Sequence, residues 1–119
     1  MFLVVFEVIV REAFMDQYLE LAAGLKETLL SSGGLLSSER FQSLADQRKL
    51  LSLSVWDSLE SIDRWRQQMD HRLTQKTCRD NYFESYRITV ASALRSYTEQ
   101  DRRQAPEDSN QYFFEKEIP

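Results

Sequence analysis

The fold is decided by the stretch "FLVVFEVIV", residues 2–10, in which Glu7 is the one polar residue. Valine, phenylalanine and isoleucine favour strands, and successive side chains of a strand point to opposite faces of its sheet. Both faces of this strand are apolar: Phe2, Val4, Phe6, Val8 and Val10 share one parity, and Leu3, Val5 and Ile9 share the other. A single layer of helices covers only one face of a sheet, so we predict that something else covers the second face.

The next segment predicts a helix followed by a hairpin. Apolar residues recur at intervals of three and four from about residue 14 to residue 32, which is the pattern of an amphipathic helix. Gly33–Gly34 follows directly and favours the left-handed conformation that closes many helices. Two strand-like segments, residues 34–44 and 48–56, then flank a short polar turn at 45–47.

A second helix is predicted to begin at Asp57, which forms a capping-box pattern with Glu60 three residues later. Its apolar stripe consists of Ile62, Trp65, Met69 and Leu73. The last predicted strand is "SYRITVASALRSY", residues 85–97. The predicted order of elements is therefore β-α-β-β-α-β.

This order is that of the ferredoxin-like α+β fold, an antiparallel sheet with both helices on one face. We predict one such domain over residues 1–98. Because the first strand is apolar on both faces, we predict that a second copy covers the free face of the sheet and forms a homodimer. Residues 99–119 are predicted to be a loose, polar C-terminal extension ending in the aromatic cluster Tyr112–Phe114, which can contribute to covering a neighbour.

The composition excludes several classes of function. A length of 119 residues fits one domain, and a net charge of −4 argues against a nucleic-acid surface and an anionic membrane surface. Glycine occurs only at Gly24, Gly33 and Gly34, so no glycine-rich phosphate loop is present. One histidine and one cysteine do not supply the ligands of a closed zinc site. We predict neither a metal nor a cofactor.

The chain is predicted to be cytoplasmic. Cys78 is its single cysteine, which forms no intrachain disulfide and suits a reducing compartment. The apolar first ten residues lack the cationic region and the cleavage site of a signal peptide, and they are too few to span a bilayer.

Trp65 and His71, the only histidine, pose the main question about chemistry. Six positions on an ideal helix correspond to about 600°, which leaves the two side chains about 120° apart. One interpretation is a core tryptophan followed by a surface histidine. The functional interpretation is a base that accepts protons near neutral pH beside a flat apolar wall for a planar substrate.

Three other residues, Arg87, Ser52 and Ser54, each have a functional and a structural interpretation. Arg87 either holds a developing oxyanion from within the sheet or forms an ion pair at its edge. Ser52 and Ser54 share the parity of Trp56 on a strand, where they either make room for a ligand or face solvent.

The segments "LSVWDSLESIDRWRQQMDHRLTQ" (53–75) and "NYFESYRITVASALRSY" (81–97) resemble the antibiotic biosynthesis monooxygenase (ABM) domain family. The residues that match its pattern are Trp56, Asp57, Trp65, His71, Gln75, Tyr86, Arg87 and Ile88. The resemblance covers about residues 2–97. It implies a dimeric α+β barrel and oxygenation of planar polyphenols without metal or flavin. His71 would then be the catalytic base, Trp65 the aromatic wall and Arg87 a donor to the oxyanion.

Haem-degrading relatives share this fold but carry an asparagine in the first strand and a histidine about three turns beyond the tryptophan. This chain has Glu7 and Gln75 instead. The leading hypothesis is a cofactor-independent monooxygenase for a small aromatic or quinol-type molecule. The alternatives are a non-catalytic small-molecule-binding or stress-related dimer, and a haem-binding or haem-degrading protein.

Overall fold

A computed structural model describes the backbone of residues 1–80 and 82–115 and the side chains of residues 1–71 and 82–113. In this part of the chain the elements are β1 (Phe2–Val10), a 3₁₀ turn (Glu12–Phe14), α1 (Met15–Ser31), β2 (Leu35–Gln42), β3 (Lys49–Trp56), α2 (Leu59–Asp80), β4 (Phe83–Ser92) and α3 (Glu107–Glu115). The predicted β-α-β-β-α-β order is confirmed. No helix among the described residues is long and apolar enough to cross a membrane.

Within the described residues the strands form one antiparallel four-stranded sheet in the order β2-β3-β1-β4. The first strand therefore lies in the interior of the sheet, next to β3 and β4. Antiparallel pairing with both helices on one side is the ferredoxin-like arrangement that the sequence predicts.

The core lies between the even-numbered face of β1 and helices α1 and α2. Val4 and Val8 are each 1 % exposed and Val10 is 0 % exposed. Val4 packs in a cluster with Trp56 of β3, Trp65 of α2 and further residues of the two helices. Val8 and Val10 pack with residues of α1. Burying a valine side chain contributes about 1.5–3 kcal/mol, so the parity of this strand fixes which face receives the helices.

The odd-numbered face of the sheet lies opposite to α1 and α2. Its apolar residues on the two interior strands are half-buried: Leu3, Val5 and Ile9 on β1, and Leu51, Leu53 and Val55 on β3. The predicted cover of this face by a second copy stays a prediction.

The start of α2 corrects one detail of the sequence analysis. The cap is Ser58, whose Oγ accepts a hydrogen bond from the backbone N–H of Ser61 at 3.2 Å. Asp57 lies one residue earlier, and its Oδ1 accepts from the hydroxyl of Ser61 at 3.0 Å. Aspartate and serine are equally good caps, so the pattern of Asp57 with Glu60 placed the boundary one residue too early.

The last strand ends at Ser92, five residues before the predicted boundary at residue 97. Its pairing with β1 ends there: Ser92 pairs with Phe2, and Ala93 N–H donates to Met1 O at 3.1 Å. Two residues beyond Ser92, Leu94 is 95 % exposed.

The C-terminal extension is more ordered than the sequence predicts. α3 begins directly after Pro106, and Glu107 and Asp108 in its first turn complement the positive end of the helix dipole. Arg102 donates to Asn110 Oδ1 at 3.0 Å and to Ser109 Oγ at 2.7 Å. Its guanidinium also lies over the rings of Tyr97 and Phe113, at 5.0 and 4.7 Å from their centroids.

The side chain of Phe114 lies outside the described residues, and the domain boundary at residue 98 stays a prediction.

Candidate functional site

A cavity of about 90 Å³ lies under the helices, between α1 and α2 on one side and strands β1, β2 and β3 on the other. Its apolar wall is formed by Val4, Phe6, Ala22, Leu25, Leu29, Trp65 and Met69. Its polar or charged lining comes from Tyr18, Lys26, Ser38, Glu39, Arg40, Ser52 and Ser54. Mixed lining of this kind, mainly apolar with a few polar groups, is typical of small-molecule sites.

Small side chains on β3 keep the floor of the cavity open. Ser52 pairs with Phe6 and Ser54 pairs with Val4 on the helix-covered face of the sheet. Ser54 is 3 % exposed, and its Oγ accepts a hydrogen bond from Trp56 Nε1 at 2.8 Å. Of the two interpretations of these serines, the structure supports room under the helices and not a position facing solvent.

Trp65 forms one wall of the cavity and is also part of the core. It is 6 % exposed, and its ring centroid lies 5.7 Å from that of Trp56, with the two planes tilted by 40°. The helix positions Trp65 because Ile62 and Met69, three residues before and four after, are buried on the same stripe. Leu73, which the sequence adds to this stripe, lies outside the residues whose side chains are described.

His71 is exposed and is not among the side chains that line the cavity. α2 runs without interruption from Leu59 to Asp80, so the helix has no break near Asp70 that would turn His71 towards Trp65. On the outer surface of α2, Arg66 forms an ion pair with Asp70 at 3.0 Å. Within one chain the structure therefore does not bring Trp65 and His71 together.

Arg87 lies on the opposite side of the sheet from the cavity. Its neighbours in sequence, Tyr86 and Ile88, face the helices, and the ring of Tyr86 lies 6.0 Å from that of Phe6. Side chains alternate along a strand, so Arg87 points to the odd-numbered face, where it pairs in register with Glu7. Gln75 and Cys78 lie outside the residues whose side chains are described.

Tyr18 and Arg40 are site residues that the sequence analysis missed. Tyr18 is 4 % exposed, and its ring makes an edge contact with Phe83 at 6.3 Å between centroids. Arg40 lies on the helix-facing parity of β2, opposite Ser52. One signal in the sequence points to Arg40. It has the same parity as Ser38 on β2, and side chains of that parity lie under the helices.

The environment of Tyr18 keeps its hydroxyl neutral. Burial raises the pKa of Tyr18 to about 12, and the nearby positive charge of Arg40 offsets part of that rise. A neutral phenol donates a hydrogen bond, so at physiological pH this group is a donor on the cavity wall.

We expect this pKa to make the fold less stable in strong alkali. Between about pH 10 and pH 12 the native state holds the Tyr18 proton that the unfolded state has released, so the free energy of unfolding falls as the pH rises. The full loss is about 3 kcal/mol for a shift of two pKa units. Urea unfolding at pH 9 and pH 11.5 measures it, and Tyr18→Phe is the control. An equal pH dependence in both proteins would contradict this assignment.

A second, more open groove of about 330 Å³ adjoins the cavity at the β2 edge of the sheet. Tyr18, Arg40 and Ser52 line both spaces, so these side chains stand between the cavity and the groove. Among the side chains that the structure describes, no group of three or more histidines, cysteines or carboxylates is placed to hold a metal ion.

Sequence and structure comparisons identify relatives of this chain. Jasmonate monooxygenase ABM of Pyricularia oryzae is 33% identical over 96 residues, which is 81% of this chain and 45% of that protein. An uncharacterized protein of Bacillus subtilis, YqjZ, is 33% identical over 45 residues, 38% of this chain and 40% of that protein. The chain thus spans less than half the length of either relative.

Solved structures show the same fold at lower identity. Rv0793 from Mycobacterium tuberculosis superposes with a TM-score of 0.67 at 15% identity, covering 82% of this chain and 98% of that one. SnoaB from Streptomyces nogalater, a cofactor-independent oxygenase, gives 0.66 at 13% identity, covering 80% and 94%.

The family profile of the antibiotic biosynthesis monooxygenases matches residues 1–77, which include the first three strands, α1 and the cavity wall of α2. This match covers more than half of the 119 residues, and it confirms the resemblance seen in the sequence. The chain belongs to the antibiotic biosynthesis monooxygenase (ABM) family.

Proposed function

We propose that this protein is a cofactor-independent monooxygenase that acts on a small aromatic or quinol-type molecule. The observation that carries the proposal is the cavity under the helices, with Trp65 as a flat apolar wall. Family membership supports it, as do two of the relatives, one named a jasmonate monooxygenase and the other a cofactor-independent oxygenase.

The proposed chemistry needs a cavity and an ionised substrate. Loss of a phenolic proton gives an electron-rich anion that itself reduces O₂. In the keto form of a phenol the ring carries an activated CH₂ group. Overall, this CH₂ and one O₂ are converted into C=O and one water, so that atoms and electrons balance. All the electrons come from the substrate, so the protein contributes binding, orientation and exclusion of water.

The dimensions of the site limit the substrate. A cavity of about 90 Å³ is smaller than the roughly 150 Å³ that accommodates benzene in a protein core. The adjoining groove of about 330 Å³ brings the combined space into the range of ordinary ligand sites, about 300–1,000 Å³. We therefore propose that the edge of a ring reaches Trp65 and that most of the molecule extends past Tyr18 and Arg40 into the groove.

Oxygen uptake with a panel of hydroquinones tests the function. We expect Trp65→Ala to lower kcat/KM by about 10- to 100-fold, because loss of the wall releases the ring from its reactive position. Trp65→Phe, which keeps a flat ring, should retain most of the rate. No oxygen uptake across the panel, or equal rates for Trp65→Ala and wild type, would contradict the proposal.

His71 and Arg87, proposed from the sequence as base and oxyanion donor, are tested in the same assay. The structure places both outside the cavity of their own chain, so we expect little change in kcat for His71→Ala. A loss of about 100-fold or more in His71→Ala would instead identify it as the general base.

The absence of histidine from the described cavity wall favours a second candidate function, binding without turnover. Such a protein would show ligand-dependent thermal stabilisation and no oxygen uptake. The haem alternative is disfavoured because the chain has Glu7 and Gln75 where haem-degrading relatives carry an asparagine and a histidine. A Soret band that saturates on haem titration would restore it.

We further propose that the active form is a homodimer joined through the odd-numbered face of the sheet. The apolar residues of β1 and β3 on this face form a continuous strip opposite to the helices. These side chains are only half-buried, and a contiguous apolar strip that stays partly exposed is typical of an interface between subunits.

Leu53→Arg is expected to convert the dimer to a monomer, because it places a charge in the centre of the proposed interface. Sedimentation velocity at micromolar concentration measures the mass of each species. Leu36→Arg is the matched control, since Leu36 is 61 % exposed at the irregular start of β2. A monomeric wild-type protein, or a dimeric Leu53→Arg variant, would contradict the proposed interface.

A further inference from the structure

The mouth of the cavity carries a polar arrangement that the proposed oxidation does not use. Arg40 and Lys26 lie at the edge of the cavity, on β2 and α1 respectively, and the hydroxyl of Tyr18 lines the space beside them. The combination is two exposed cations and one neutral donor next to an apolar cavity. Glu39 also lines the cavity, but it has the opposite parity to Arg40 on β2 and is in register with Leu53.

The two cations have no acidic partner in the described part of the chain. Ion pairs there engage other basic residues, with Arg48 bound to Glu84 at 2.9 Å, Arg66 to Asp70 at 3.0 Å and Arg103 to Asp101 at 2.7 Å. No such pair includes Lys26 or Arg40 among the described residues. In a chain with a net charge of −4, an unpaired positive site at the cavity mouth provides local attraction for an anion.

Tyr18 supplies an independent observation. Its side chain is 4 % exposed, and its hydroxyl makes no hydrogen bond to any of the described residues. Among the described residues the one buried side-chain polar atom without a partner is Arg11 Nε, so the Tyr18 hydroxyl keeps access to the cavity space and is placed to donate to an acceptor on a ligand. Because Tyr18 lines both the cavity and the groove, an acceptor at their junction meets this hydroxyl and Arg40 together.

We propose that Tyr18, Arg40 and Lys26 form an anion subsite, and that the molecule bound here is an aromatic or other apolar body carrying one carboxylate. A carboxylate is chosen over a phenol because it is ionised at neutral pH without help, with an ordinary pKa near 4 against about 10. It accepts two hydrogen bonds from Arg40 in fork geometry and one from Tyr18. The apolar body then lies against Trp65.

This inference rests on the proposed function only in taking the cavity as the substrate site. It concerns binding, so it is measured without turnover. Trp65 on the cavity wall and Trp56 beside it are the two tryptophans of the chain, so quenching of their fluorescence reports on occupancy.

The experiment compares benzoate with benzamide, its neutral analogue of nearly the same shape, on the full chain at low ionic strength. We expect benzoate to bind at least about tenfold more tightly, the effect of one good charge-assisted hydrogen bond. Arg40→Gln should abolish the preference, and Tyr18→Phe should reduce it. Arg103→Gln, which removes a cation far from the cavity, is the control and should leave it unchanged.

Added salt should weaken benzoate binding and leave benzamide binding unaffected. Equal affinity for the two probes, no binding of either, or a preference that survives in Arg40→Gln overturns the subsite. A preference for benzoate in a protein that never consumes oxygen supports the subsite and counts against the proposed monooxygenase.

Phenol in place of benzoate, tested below and above the pKa of phenol, shows whether a phenolate binds as well as a carboxylate. Equal affinity for phenolate and benzoate would overturn the choice of carboxylate.

Discussion

Replacing Gly34 with alanine is expected to lower the free energy of unfolding by about 2–5 kcal/mol. Gly34 has φ +82°, in the left-handed region where a Cβ costs about 1–2 kcal/mol. A Cβ there would also overlap the Oγ and Cβ of Ser61 and lie 2.6 Å from Asp57 Oδ1. Overpacking of this kind typically costs about another 1–3 kcal/mol.

The neighbours of Gly34 have little freedom to move away. Ser61 Oγ lies in a hydrogen-bonded cluster with Ser58 Oγ at 2.9 Å and Asp57 Oδ1 at 3.0 Å, and it accepts from Arg64 at 3.1 Å. The carbonyl of Gly34 also accepts from Asp57 N–H at 2.9 Å. The start of β2 and the start of α2 are therefore joined at this point.

Gly33→Ala is the matched control for this prediction. Gly33 has φ +79° but no atom within 4 Å of the position that its Cβ would occupy. Alanine there should cost only the conformational term, about 1–2 kcal/mol. Urea unfolding monitored by circular dichroism measures both variants. Equal losses for the two would show that the contact with Ser61 is not the cause.

The second large effect is expected for Trp56→Ala, at about 3–5 kcal/mol. Trp56 is 0 % exposed at the end of β3, between the sheet and Trp65. Removing the ring leaves a void in the core, and it also removes the donor that satisfies Ser54. For a domain whose stability lies in the usual range of about 5–15 kcal/mol, such a loss leaves a large unfolded fraction in mild denaturant.

Trp56→Phe and Ser54→Ala separate the two contributions. The phenylalanine keeps most of the ring volume but leaves the Ser54 hydroxyl without its donor, so we expect an intermediate loss. In the double variant Trp56→Phe/Ser54→Ala neither polar partner remains, and part of that loss should be recovered. Equal stability of Trp56→Ala and wild type would overturn the assignment of this residue to the core.

The elements of the fold were predicted well because their signals are local. Alternation along β1 and the three-and-four spacing of α1 depend only on which residues recur, and both fix a face. The end of β4 was not predictable in this way, because it depends on pairing with β1, some ninety residues away in the chain. α3 was missed because its cap signal, Pro106 followed by Glu107, lies in a segment whose polar composition suggested a loop.

The site was predicted only in part. Trp65 was identified because it lies within one conspicuous stretch of sequence. Tyr18 and Arg40 are far apart in the chain and come together only in the lining of the folded protein's cavity. His71 and Arg87 take their catalytic roles from the resemblance, which identifies residue types and not positions. The helix spacing alone already separates His71 from Trp65 by about 120°, and the structure keeps the two apart.

The stack around Arg102 has a consequence for how this chain tolerates change. Tyr97, Asn110 and Phe113 hold that guanidinium by contacts made entirely within the last part of the described chain. None of these partners of Arg102 belongs to the sheet or to α1 and α2. A substitution at Arg102 should therefore call for compensating changes at Tyr97, Asn110 or Phe113 and not around Trp65.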